Sequence, residues 1–216
     1  MKYRCVPLLS DVNHQSEIKN FVIDREKKFS QYTDKVIGLE AYLKECAWED
    51  DVRGDVKIYL IKDTELDCIA AYFGLKAGMV IDNTDTQNYS SQEKLEILQE
   101  KQEILLDANI KTVSAIVPGI EISHFAVNDN YRRKLGNDIR GLGRYFYPTF
   151  IYPIIEEIAS KIGVRIIYLF AAGDEHLIQY YKKVFGFDIS ALNDFYTPLQ
   201  PSYDDGCKFM YQILSR

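Results

Sequence analysis

Glu121-Ile-Ser-His-Phe-Ala-Val127, Asp138-Ile-Arg-Gly-Leu-Gly143, Ile166-Ile-Tyr-Leu-Phe-Ala171 and Gln179-Tyr-Tyr-Lys-Lys-Val-Phe-Gly-Phe187 follow one another in that order, and this stretch decides the fold. The first segment belongs to a strand from Ile120, in which Glu121, Ser123, Phe125 and Val127 alternate onto one face and His124 onto the other. Asn128 to Arg140 is polar and basic and reads as loop. After Gly141-Leu-Gly143, the residues Ile151, Ile154, Ile155, Ile158 and Ile162 fall three or four apart, the spacing of a helix, which Gly163 stops. Val164 to Ala171 is a nearly continuous apolar run, as expected of a strand buried on both faces. Asp174 is placed to cap a second helix that runs to Val184 and ends at Gly186. Strand, glycine turn, helix, strand, helix is an α/β unit.

Arg140-Gly141-Leu142-Gly143-Arg144 stands between strand and helix. Glycines there let backbone approach a ligand closely, and the first N–H groups of the helix point outward, where the helix dipole favours an anion. The flanking arginines can fork onto phosphate oxygens. Taken with the other three segments, their order and their spacing, this turn resembles the Gcn5-related N-acetyltransferase family. The resemblance spans Glu121 to Phe187 and extends to the preceding hairpin. It implies an α/β fold of the α+β type, acyl-CoA N-acyltransferase-like. Its mixed, mostly antiparallel sheet would have six to seven strands, helices on both faces and a splayed parallel pair at the cofactor site. It also implies acetyl-CoA as cosubstrate, without a metal. By position, the backbone of Phe125, Ala126 and Val127 would pair with the pantetheine arm, and Arg140, Gly141, Leu142, Gly143 and Arg144 would cradle the pyrophosphate. Glu121 would then be the base that takes the amine proton, and Tyr181 the acid that protonates the coenzyme sulfur.

The chain departs from the family pattern in three places. Asp138 stands where Gln or Arg is usual, the loop from Asn128 to Ile139 is long, and Pro148 and Pro153 fall inside the expected helix. Arg132, Arg133 and Lys134 in the long loop are candidates to replace the charge lost at Asp138. Pro153 removes an interior hydrogen bond and predicts a kink.

Outward from this stretch, Gln15 to Lys28 carries Ile18, Phe21 and Val22 at helical spacing, and Ile37 to Ala47 repeats the pattern with Leu39, Tyr42, Leu43 and Cys46. Asp55 to Ile61 and Asp67 to Leu75, joined by Lys62-Asp63-Thr64-Glu65, predict an antiparallel hairpin. A helical insertion is expected at about 80–110, opened by the capping pattern Ser90-x-x-Glu93. The chain has 216 residues with 47% hydrophobic content, which suits one packed domain over 1–216. Cys5, Cys46, Cys68 and Cys207 are scattered without the paired spacing of a zinc site and read as reduced thiols of a cytoplasmic protein. No signal peptide core and no membrane-length apolar run is present in the sequence.

The net charge of −6 makes attraction to nucleic acid unexpected and leaves an amine on a small molecule or a protein as the expected acceptor. Two alternatives stand beside that reading: a toxin-type relative that acetylates the amino acid on charged tRNA, and a domain that binds acetyl-CoA or a partner without turnover. Tyr145, Tyr147 and Tyr152 could line the acceptor pocket, form a homodimer face or pack in the core. Tyr180 beside Tyr181 faces elsewhere on its helix and is expected in the core; His124 is expected to be packed rather than catalytic. The chain has no G-x-S-x-G elbow, P-loop lysine motif or H-E-x-x-H pair, which takes most of the weight from hydrolase, nucleotidase and metalloprotease readings.

Overall fold

The computed structural model describes residues 2–24, 38–82, 116–136, 141–189, 196–198 and 206–214. They group into two compact units, one of Met1–Lys76 with Ile122–Ile158 and one of Ala77–Glu121 with Ala159–Arg216. Strands β1 (Tyr3–Pro7), β2 (Lys57–Asp63), β3 (Cys68–Asp82) and β4 (Ile116–Val127) are neighbours in that order. The last two run through both units.

In the first unit, β1 lies antiparallel to β2 from Tyr3↔Asp63 to Pro7↔Tyr59, and β2 lies antiparallel to β3 with a register shift between Ile61 and Lys62. The expected hairpin is present. Its turn falls slightly later, over 64–67, because the Asp63 carboxylate accepts from the N–H groups of Glu65 and Leu66 at 2.9 and 3.0 Å. Of the helix expected over 15–28, the described residues hold only a short α1 (His14–Glu17) with a 3-10 turn at Ile18–Asn20 and an extended Phe21, and 25–28 lie outside them. Distant side chains claim the backbone there: Asn128 Oδ1 accepts from the Val22 N–H and Asp129 Oδ2 from the Asp24 N–H. Helices α2 (Leu39–Glu45) and α3 (Ala47–Arg53) take the place of the one expected over 37–47. Their buried Tyr42, Leu43 and Ala47 join Leu8, Phe21, Ile58, Leu60 and Tyr72 in one apolar core.

The basic segment after β4 is not loop throughout. Asn128 accepts from the Asn130 N–H and caps α4 (Asp129–Leu135), which Tyr131, 1% exposed, anchors inward. Next come α5 (Leu142–Phe146), a π-helical turn at Tyr147–Ile151 and α6 (Tyr152–Lys161). The two prolines account for that wide turn. Pro148 sits inside it, Pro153 has no N–H to offer Thr149, and the Tyr152 N–H bonds the Tyr147 carbonyl, five residues back. The disruption predicted at Pro153 therefore lies in the turn before it.

In the second unit, β4 runs parallel to β5 (Ile166–Ala171) with Gly119↔Ile166, Ile120↔Ile167 and Glu121↔Tyr168 in register. β5 pairs antiparallel with β8 (Lys208–Ile213), which also takes β6 (Asp188–Ile189), while β7 (Tyr196–Pro198) pairs with the end of β3. The sheet thus has eight strands among the described residues, mostly antiparallel with the parallel pair β4–β5, against six to seven expected. Asp174 caps α7 (Glu175–Tyr180) by accepting from the Leu177 N–H at 2.9 Å. A second π-helical turn, Tyr181–Phe185, ends the helix at Gly186. Of the insertion expected at about 80–110, 80–82 belong to β3 and the rest lies outside the described residues, as do Asp138 and Arg140.

Candidate active site

The coenzyme residues read from the sequence lie at two places in the first unit. Phe125, Ala126 and Val127 close β4, with Ala126 turned into the apolar core and Phe125 and Val127 half-buried. The Asn128 N–H then donates to the Ala70 carbonyl at 2.9 Å and fixes the strand end on β3. Gly141 caps α5 at φ 83°, a left-handed backbone that costs other L-residues about 1 kcal/mol, with no atom within 4 Å of where a Cβ would stand. Leu142 is buried, Gly143 half-buried and Arg144 exposed, so the helix start combines first-turn N–H groups with one solvated cation.

Two of the three neighbouring basic residues are committed elsewhere. Arg132 pairs with Asp129 at 3.2 Å, and Arg133 pairs with Asp24 and donates to Asn130 Oδ1 at 2.5 Å. Of the three basic residues proposed to replace the charge lost at Asp138, Lys134 is the one without an ion pair among the described residues. His124 stacks flat on Tyr42, ring centroids 3.7 Å apart, and its Nδ1 lies 2.9 Å from Ser123 Oγ. Burial, with Lys76 nearby, pushes its pKa down to about 3, which leaves it a neutral packing residue. Tyr147 is buried, whereas Tyr145 is 48% exposed with its ring against Tyr3 and Phe146.

The acid–base candidates both lie in the second unit. Glu121 is fully buried in β4, and the Tyr168 hydroxyl donates to its Oε2 over a long 3.4 Å. Burial and the adjacent carboxylate raise the Tyr168 pKa well above the phenol range. Tyr181 opens the π turn of α7 and meets Phe185 and Phe187 edge-on at 5.5 and 6.0 Å. Burial pushes its pKa up to about 12, so its hydroxyl carries a proton at neutral pH. The structure thus brings Glu121 together with Tyr168, which the sequence reading had not singled out. The signal was a tyrosine at the centre of the otherwise apolar run 166–171.

Among the described residues, no group of three or more His, Cys, Asp or Glu could hold a metal ion, and no helix is long and apolar enough to cross a membrane. All four cysteines are free, and burial pushes the Cys5 thiol up to about 12.

No family model and no curated protein matches the chain. Solved structures do. A tyrosine-to-phenylalanine mutant of the AtaT toxin, bound to acetyl-CoA and the C-terminus of the antitoxin AtaR, superposes with a TM-score of 0.57 at 11% identity, over 99% of this chain and 94% of that one. A tyrosine-to-phenylalanine mutant of KacT gives 0.59 at 12%, over 99% and 95%. AtaT complexed with acetyl-methionyl-tRNA gives 0.56 at 13%, over 91% and 94%. At such identities the likeness is one of fold, and the mixed acyltransferase-like architecture expected from the sequence is the fold these toxins have. The expectation against nucleic acid draws no support from them, since one was solved with tRNA.

Proposed function

We propose that the protein is an acetyl-CoA-dependent N-acetyltransferase whose acceptor is the amino group of an aminoacyl-tRNA. The observation that carries this reading is the near whole-chain match of fold to a toxin solved with acetyl-CoA and, separately, with acetyl-methionyl-tRNA. The local chemistry supports it. The N–H groups of Leu142, Gly143 and Arg144 at the start of α5, with the Arg144 guanidinium, suit a pyrophosphate. The Phe125–Val127 backbone takes the pantetheine amides as an added strand and offers an N–H to the thioester carbonyl.

Glu121 removes a proton from the acceptor amine, directly or through a water. The amine attacks the acetyl carbonyl, and the tetrahedral oxyanion collapses to expel the coenzyme A thiolate. Tyr181 donates its proton to that sulfur. The products are the N-acetylated acceptor and coenzyme A.

The protein incubated with labelled acetyl-CoA and a pool of charged tRNAs should transfer label to the aminoacyl group and release free thiol in equal amount. Uncharged tRNA should take none. Label passing instead to a polyamine, amino acid or peptide, with charged tRNA untouched, would replace the acceptor. The net charge of −6 and the engagement of Arg132 and Arg133 by carboxylates favour that second reading.

A further inference from the structure

Two glycines on neighbouring strands make room for one phenol ring. A Cβ on Gly119 in β4 would come within 3.2 Å of Tyr168 Cδ1 and Cε1. A Cβ on Gly78 in β3 would overlap the Tyr168 hydroxyl and lie 2.7 Å from its Cζ. From β5, the fully buried Tyr168 ring therefore passes over β4 at Gly119 and reaches β3 at Gly78, its hydroxyl donating to Glu121 Oε2. Phe170 and Phe209 meet the ring at 6.1 and 5.7 Å, and Tyr168 stands opposite both Glu121 in β4 and Tyr211 in β8. A buried phenol held by packing on several sides has almost no rotamer freedom, so its hydroxyl is a fixed donor.

We infer that Tyr168 is the positioning residue for the Glu121 carboxylate, and that Gly78 is a glycine because any side chain there would displace its hydroxyl. The inference rests on the proposed base role of Glu121 for its kinetic consequence, though not for the contact itself. A donor on one carboxyl oxygen holds the group in one orientation and leaves the other oxygen to face the amine. The 3.4 Å separation allows tightening when an acceptor enters.

Tyr168→Phe keeps the ring and removes only the donor. It should lower kcat about five-fold, the rate equivalent of one ordinary hydrogen bond, and leave the KM for acetyl-CoA unchanged. Gly78→Ala should reproduce that loss by displacing the hydroxyl, and combining the two changes should add little. The contact is read without substrate by carbon-13 resonances of labelled glutamate, Glu121 being the signal lost in Glu121→Gln. Its carboxyl-carbon shift at neutral pH should move in Tyr168→Phe. An identical Glu121 carboxyl shift in both proteins overturns the inference, whether or not Gly78→Ala folds. A moved shift with an unchanged kcat upholds the contact and overturns the base role of Glu121.

Discussion

Asp63 is fully buried at the end of β2, where it accepts from the Tyr131 hydroxyl at 2.7 Å and from the N–H groups of Glu65 and Leu66, with Lys2 at 3.5 Å. Burial alone would raise its pKa, but these donors and Lys2 together hold the carboxyl below the usual carboxylate range. A depressed folded pKa contributes stability that is full above the ordinary carboxylate value and is lost as pH falls through the folded one. Asp63→Asn should therefore cost about 2 kcal/mol at neutral pH, and its melting temperature should fall less than that of the unsubstituted protein as pH drops towards about 3. At the same scale, Tyr181→Phe should lower kcat while sparing the KM for acetyl-CoA; full retention of turnover would remove the acid from the mechanism. Sequence reading nominated Glu121 and Tyr181 because they fall at matching positions of the family's strand and helix motifs, which are local stretches of chain. It missed Tyr168 because that residue's partners, Gly78, Gly119 and Glu121, come from two other strands and meet only after the sheet forms.

Among the elements, those closed by their own sequence were the legible ones. Asp174 caps α7 and Gly186 ends the helix after it, as side-chain chemistry dictates. Asp174→Ala should lower stability by about 1 kcal/mol and the melting temperature by roughly 2–4 °C, readable by calorimetry. The hairpin of β2 and β3 was equally plain from two runs rich in Ile, Tyr and Phe joined by a polar turn. The first helix was overread because Asn128 and Asp129, which accept from Val22 and Asp24, lie more than a hundred residues away in the chain. The same Asn128 caps α4, so one carboxamide shortens one helix and starts another. Polarity had made that second segment look like loop. At α5, Gly141→Ala should cost about 1 kcal/mol of stability through its positive φ and weaken stabilisation by acetyl-CoA in a melting assay. Unchanged coenzyme affinity would move the pyrophosphate away from that helix start.

For the whole molecule, the net charge of −6 bears directly on the acceptor. A tRNA held through phosphates releases counterions, so its KM should climb steeply with added salt, whereas the KM of a small amine should change little. A flat salt response with charged tRNA would argue that the terminal aminoacyl group alone is recognised. Net charge, a property of composition, had pointed away from nucleic acid, whereas the order and spacing of the four motifs between Glu121 and Phe187 had already carried the fold that these toxins share at identities of 11% to 13%.

Each compact unit is assembled from two separated stretches, with β3 and β4 passing through both. On the ribosome this matters for timing. The first 76 residues emerge early but lack 122–158, which bring the rest of β4 together with α4, α5 and most of α6. Until those residues leave the exit tunnel, the growing hairpin carries an open strand edge, and neither unit can close in synthesis order alone. Nascent chains halted near Lys76 should therefore be sensitive to protease and bound by chaperones, and those with both units clear of the exit tunnel should not.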